Sequence, residues 1–482
     1  MKNEPIFMSH GSIWSFIEFV VPRLRGFGPP KGGTTNEIEP LPTRFLLCQV
    51  DKLWLFFTDS MKLLVFAHIP PPHHGQSYMV KLMLDGFGGD QRKHNATPPT
   101  TPYNIECYHI DVRLSQRLEE IGDMRIGKIF LLFFHCLRAI WCRFRYGLEN
   151  FYYVPTPGKT SALYRDWLVM LLCRPFFKRV ILHWHAAGLA KWLETCAQMR
   201  TRAFTYRLMK HVDLSIVLSR YNRADAEKLF PKKIEVVSNG IPDPCPGYER
   251  DILPRRRARL EARRRLLNGE TLSAESHAQA DGDPQIVHVL YLAHCSREKG
   301  AFDAMAGVAL ANKKLAEQGV PISLRLTVTG TFVTAADRVE FEKLMKDDAI
   351  SGSVHYAGFV SGDQKEKLLR SADLFCFPTF YPNENQPVNL IEAMAFGLPV
   401  ITTRWRSLPE VFPNGYPGLV DVRSPEQIAN GLLELLTEDG EMLRGLFLKN
   451  FTLDSYLSGL ATAFHTLEQN NPRPAFVPVP MR

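Results

Sequence analysis

The chain has few of the patterns that hold metals, disulfides or membrane spans. Its nine cysteines stand singly at 48, 107, 136, 142, 173, 196, 245, 295 and 376, with no C-x-x-C. An odd, unpatterned set fits reduced thiols and excludes a disulfide scaffold. No His/Cys cluster has metal-ligand spacing, which argues against a structural zinc site. No apolar run approaches the roughly 20 residues that a membrane span needs. The apolar stretch 13–21 contains Glu18 and lacks a small-residue cleavage site, so it does not read as a signal peptide. The G-x-G-x-x-G turn of nicotinamide-binding domains is missing, which disfavours a dehydrogenase.

What is present is an α/β pattern long enough for more than one core. At 482 residues, two or three domains are expected. Hydrophobic residues make up 45% and charged residues 22%, the balance of a globular protein. The net charge of +8 suits acidic ligands or an anionic surface. Residues 1–60 show no sustained period of two or 3.6. They are expected to be a leader, either upstream of a true start at Met61 or disordered. Strand patterns at 63–69, 105–110, 151–154, 179–185, 213–218 and 234–237 alternate with helical ones, as in parallel βαβ units. This predicts a first Rossmann-like domain over 61–245. Residues 246–284, with an arginine-rich run from Arg255 to Arg265, read as a linker and insertion. Alternation restarts at 286–292 and continues to 400–402, predicting a second such domain over 285–450. A C-terminal helix and loose tail fill 451–482.

Candidate chemistry collects at the predicted strand ends, where open α/β sheets bind ligands. The first strand runs into Pro70-Pro71-Pro72-His73-His74-Gly75-Gln76-Ser77. Gly75 before a helix lets backbone approach a phosphate or a sugar closely. The strand at 179–185 ends in His183 and His185, which alternation places on one face. His185 is nearer the cleft, and His183 is expected to be a satisfied core residue. The first strand of the second domain is followed by His294, Arg297, Lys299 and Gly300. Near residue 390, Glu384 and Glu392 stand seven residues apart. Asn389 is the expected N-cap of the helix there, with Pro387 upstream and Glu392 in the first turn.

The Glu384/Glu392 pair, preceded by Lys299-Gly300, resembles the E-x7-E signature of family 4 glycosyltransferases, retaining enzymes of the GT-B fold. The resemblance covers 61 to about 465. It implies two facing Rossmann-like doubly wound domains with an interdomain cleft. It also implies transfer of a sugar from a nucleotide diphosphate sugar to a glycan or lipid-linked acceptor, in cell-surface polysaccharide or glycoconjugate synthesis. By the same resemblance Glu392 would hold ribose, Glu384 would lie by the donor sugar, and His185 would contact that sugar. Lys299 would grip the diphosphate. The family's arginine falls on His294 here, so Arg297 or His294 would supply the second contact. Gly330, Phe359 and Val360 fall on stretches that meet the nucleotide, and backbone around Gln386, Val388 and Asn389 would orient the sugar. Gly75 and Gln76 stand where the family has a double glycine. No metal cofactor is expected, because the lysine and helix dipoles carry the charge and the D-x-D metal motif has no convincing match. Two alternatives remain: a nucleotide-sugar epimerase or hydrolase, and a silent nucleotide-sugar-binding subunit.

Two basic stretches are open to other readings. The aromatic, arginine-bearing helix at 128–145 could rest on an anionic membrane. Packing against its own sheet, with arginines at the rim, is the stronger expectation. The run from Arg255 to Arg265 is interrupted by Glu261 and lacks interleaved aromatics, so a solvated helix is expected and a nucleic-acid partner is not. Together these features predict a cytoplasmic chain, with the first domain able to touch the inner face of a membrane.

Overall fold

The computed structural model describes residues 60–71, 75–93, 102–113, 126–273 and 282–469. Two compact units divide the chain, Met1–Thr58 and Asp59–Arg482. The first lies outside the described residues, and with it the expected leader. His73, His74, most of the polar stretch before Asp283 and the C-terminal tail lie outside them too.

The second unit is built on two parallel six-stranded sheets. The first contains β1 (Met61–Phe66), β2 (Ile105–Ile110), β3 (Asn150–Tyr153), β4 (Arg179–Trp184), β5 (Leu214–Val217) and β6 (Ile234–Val236), ordered β2-β1-β3-β4-β5-β6. The second contains β7 (Ile286–Leu292), β8 (Ser323–Thr329), β9 (Val354–Gly358), β10 (Leu374–Phe377), β11 (Val400–Thr403) and β12 (Leu419–Val420), ordered β12-β11-β10-β7-β8-β9. Both are doubly wound, as the alternating pattern predicts.

Strand alternation sets the core. Leu63 and Val65 of β1 pack with Met79 and Met83 of helix α1 (Gly75–Gly86). Leu64 and Phe66 face the other way, onto Leu132, Cys136 and Ala139 of helix α2 (Ile126–Tyr146). In sheets covered on both faces every strand position is apolar, which is why these strands read as continuous runs.

Two segments depart from expectation. Helix α3 (Leu253–Leu267) carries the arginine run, yet only one face of it, with Arg255, Arg257 and Arg264, is solvated. Arg256 and Arg263 are buried. Arg263 donates to the carbonyls of Pro284 (3.2 Å) and Ile286 (3.0 Å) and to Asp373 (2.7 Å). Arg256 donates to the carbonyls of Phe396 and Gly397. Arginine can be buried this way because its planar fork meets several acceptors at once. Helix α3 therefore belongs to the second domain.

The second departure is the last helix, Leu453–Gln469, which crosses back to the first domain. Phe464 meets Phe87 and Tyr152, and His465 bonds the carbonyl of Tyr103 at 2.9 Å.

Candidate functional site

In the second sheet β7 lies between β10 and β8, with Val289 beside Leu374 and Leu290 beside Phe375. The chain winds one way from β7 to β8 and the other way to β10. The loops leaving β7 and β10 at their carboxyl ends therefore diverge around a crevice. Lys299 follows β7 and Glu384 follows β10.

The two side chains meet there. Lys299 Nζ donates to Glu384 Oε2 at 2.8 Å, with Glu384 buried and Lys299 largely so. Thr379 Oγ1 donates to the same carboxylate oxygen at 2.9 Å. The ammonium also stands 4.5 Å from the centre of the Tyr381 ring and 5.7 Å from that of Phe377. The lysine is thus held by a charge-assisted bond and two π faces.

Gly300 fixes its direction. It has φ = +82°, and a Cβ there would fall 2.3 Å from the carbonyl oxygen of Pro378. Only glycine fits so close an approach. Gly330 serves likewise on the adjacent strand: φ is +129°, and a Cβ would sit 1.9 Å from the carbonyl oxygen of Ala293.

His294 and Arg297 separate in space. His294 is half-buried, and its Nδ1 lies 3.1 Å from Thr331 Oγ1. Burial, and then the charge of Lys299, lower its pKa. Arg297 is exposed and ion-paired with Glu340, its guanidinium over Phe302. His294 thus stays against Thr331, while Arg297 turns outward to Glu340.

Glu392 lies on helix α4 (Val388–Ala395). Two expectations are corrected here. The helix begins at Val388, so Pro387 and not Asn389 holds the capping position, and Glu392 falls in the second turn. Asn389 is drawn inward: its Nδ2 donates to the Leu292 carbonyl at 2.7 Å, tying the helix to the end of β7. Glu392 Oε1 accepts from Lys365 Nζ at 2.6 Å. Tyr78 of α1 has its pKa raised by burial and then by the charge of Glu392.

Other contacts close the cleft from the first domain. A Cβ on Gly75 would stand 3.7 Å from Val388 Cγ2. The Asn239 N–H donates to Gln386 Oε1 at 2.6 Å, and Asn239 Nδ2 donates to the Gln386 carbonyl at 2.9 Å. Gln386 is thereby engaged by the first domain. Asn385 Nδ2 donates to the Trp184 carbonyl at 3.2 Å. The amides of Arg220 and Tyr221 donate to Glu410 at 2.8 and 2.6 Å.

His183 and His185 share a face, their ring centres 4.2 Å apart. His183 is fully buried, with Nδ1 2.7 Å from Tyr152 Oη, the core role expected of it. Burial, and then His185, push its pKa well below the usual histidine range. His185 is less buried. Gln76 lies apart from the acid pair, lining a small cavity with Phe66, Ala67 and Tyr153. Val360 is buried and Phe359 exposed beyond β9.

Sequence reading missed Lys365, Tyr78, Thr379 and Tyr381. Lys365 sits in an ordinary surface-helix pattern, and nothing local marks it. Tyr78 had a signal, since it lies one turn into the helix opened by Gly75. A separate cavity of about 680 Å³ opens at the amino ends of β7 and β10, lined by His288 and Asp373. Its arginines and carboxylates, including the paired Arg259 and Asp373, do not belong to this cluster.

Comparison with known proteins agrees with this architecture. Residues 275–446 match the family described as glycosyl transferases group 1. The MMP alpha-(1->4)-mannosyltransferase of Mycolicibacterium hassiacum is 39% identical over 75 residues, 15% of this chain and 18% of that protein. The putative colanic acid biosynthesis glycosyltransferase WcaL of Salmonella typhimurium is 25% identical over 183 residues, 37% of this chain and 43% of that protein. The chain thus spans less than half the length of these relatives. Among solved structures, sucrose-phosphate synthase of Thermosynechococcus elongatus superposes with a TM-score of 0.56 at 16% identity, covering 84% of this chain and 99% of that one. Anabaena HepE in complex with UDP and glucose gives 0.54 at 12% identity, with the same coverage. The fold is GT-B, and residues 275–446 are similar to the glycosyl transferases group 1 family.

Proposed function

We propose that this chain transfers a sugar from a nucleotide diphosphate sugar to an acceptor hydroxyl, with retention of configuration and without a metal ion. The observation that carries the reading is Lys299 Nζ at 2.8 Å from Glu384, next to Asn385, which bonds the Trp184 carbonyl of the first domain. One solved neighbour, Anabaena HepE, is in complex with UDP-glucose, and one relative is the O-antigen chain mannosyltransferase B of Escherichia coli, 33% identical over 98 residues. These support a nucleotide-sugar donor and a glycan or lipid-linked acceptor, in cell-surface polysaccharide or glycoconjugate synthesis.

In this reading the bond from the anomeric carbon to the diphosphate oxygen breaks, and the acceptor oxygen bonds the same carbon from the same face. The acceptor proton passes to the departing phosphate oxygen, so the protein needs no separate base. Lys299 stabilises the charge that grows on the leaving diphosphate, where a fixed cation in a closed cleft acts most strongly. The neutral imidazole of His294 supplies a hydrogen bond where the family has an arginine. Glu392 exchanges Lys365 for the ribose hydroxyls. Glu384 and His185 orient the sugar, with Gly75 closing the cleft from the first domain.

Thermal melting with nucleoside diphosphates, followed by turnover assays with donor and acceptor, tests this. Saturating diphosphate raises stability by about 2.7 kcal/mol at a hundred times Kd. Lys299→Ala is expected to lower kcat by about 10²–10³, and Glu392→Gln to weaken donor binding first. Wild-type kcat in the first variant and unchanged donor affinity in the second would refute these roles. Donor breakdown without acceptor, at the full turnover rate, would mean a hydrolase or epimerase. Diphosphate binding without turnover of either kind would mean a silent binding subunit.

A further inference from the structure

Helix α2 has two apolar faces. Leu132, Cys136, Ala139 and Cys142 point into the first domain and are buried. Phe130, Phe134, Trp141 and Phe144 recur at intervals of four, seven and three along the outer side, and are 70%, 56%, 57% and 68% exposed. Nothing among the described residues covers them. Packing against the sheet therefore accounts for only one side of this helix.

Charge identifies the occupant. The 21 residues of α2 contain Lys128, Arg138, Arg143 and Arg145 and no carboxylate. Phe176 extends the apolar surface, its ring 6.1 Å from Phe144 and its carbonyl bonded by Arg143. We propose that this face is a docking surface for an anionic lipid bilayer. Aromatic side chains would sit at headgroup depth and the arginines would meet lipid phosphates. A second copy fits poorly, because two faces carrying only positive charge repel. A span is excluded for this helix, since its inner side is buried in protein and no described helix is long and apolar enough to cross a membrane.

Topology gives the face a use. α2 follows β2 and feeds β3, so its N-terminal end lies at the edge of the sheet where β1 leads into Gly75. Docking there would hold the mouth of the cleft near a lipid-borne hydroxyl. The docking surface does not depend on the proposed sugar transfer, and its test reads lipid binding alone.

The full chain is sedimented with vesicles of phosphatidylglycerol and phosphatidylcholine, and separately with pure phosphatidylcholine. Binding is expected only to the anionic vesicles, falling as salt is raised. Each arginine replaced in the Arg138→Glu/Arg145→Glu variant costs about fivefold or more in partitioning. The Phe134→Ser/Trp141→Ser variant costs about tenfold or more. Because such variants can misfold, brominated-lipid quenching of tryptophan emission is read on the unaltered chain as well. The proposal is overturned if the chain stays with the supernatant, if the apolar variant folds and partitions as before, or if no quenching occurs. A concentration-dependent dimer abolished by the same variants, without lipid binding, would assign the face to a second copy instead.

Discussion

At the scale of single residues, the cluster is held by chemistry that leaves little slack. Lys299-Gly300 was legible in the sequence through its resemblance to the basic strand-end loop of family 4 glycosyltransferases, in which a glycine follows the lysine. Which of His294 and Arg297 stands with Lys299 was not legible, since both lie on the same loop. Glu340 settles it by drawing Arg297 outward. The paired histidines give a prediction at this scale. Burial, and then His185, depress the pKa of His183. The unfolded chain therefore takes up a proton near pH 6.5 that the folded chain refuses. Stability should be fully present above that pH and fall below it, by up to about 1.4 kcal/mol per pH unit. Urea unfolding at pH 7 and at pH 5.5 measures the slope. His183→Gln should reduce it, leaving the shares of His109, His135, His288 and His294, whose pKa values burial also lowers. A slope unchanged in the variant would exonerate His183.

At the scale of elements, most strands and helices could be read from period and punctuation. Runs such as 105–110 and 374–377 coincide with β2 and β10. The start of α4 was misplaced for a definite reason. Asparagine is a strong capping residue, but Asn389 uses its amide on the Leu292 carbonyl, a partner from 97 residues away. Helix α3 was misread for a related one. Four arginines within a few residues suggest water, and no local pattern shows that Asp373 waits inside the fold for two of them. Arg263 and Arg259 reach Asp373 at 2.7 and 2.9 Å, and the carboxylate also accepts from the His288 N–H. Arg263→Met should destabilise the protein by about 3–5 kcal/mol, because it strips the closer partner from a buried carboxylate. The double variant Arg263→Met/Asp373→Leu should recover some of that loss. Chemical denaturation of both distinguishes a buried pair from a surface one, which would cost under about 1 kcal/mol.

At the scale of the molecule, the two domains are joined by short polar clasps as well as by the returning C-terminal helix. Asn239 and Gln386 exchange two hydrogen bonds across the cleft, and Glu410 receives the amides of Arg220 and Tyr221. Asn239 follows β6, a place in the sequence that says nothing of its partner. Asn239→Ala should cost about 1 kcal/mol and let the domains separate more often. Small-angle scattering should then show a larger radius of gyration, and no increase would be seen if the clasp were idle.

The sequence by itself determined the local grammar: two series of buried parallel strands, glycines where backbone must approach backbone, a lysine and a glutamate in loops after strands, and a second glutamate on the helix that follows. Those follow from periodicity and steric rules that act within about a dozen residues. The tertiary structure decided which of these residues meet. Lys299 and Glu384 are 85 positions apart and become neighbours only because β7 pairs with β10. Lys365 likewise finds Glu392, 27 positions away. Strand order and domain docking are set by the burial of the whole apolar surface, a sum over the chain that no short segment contains.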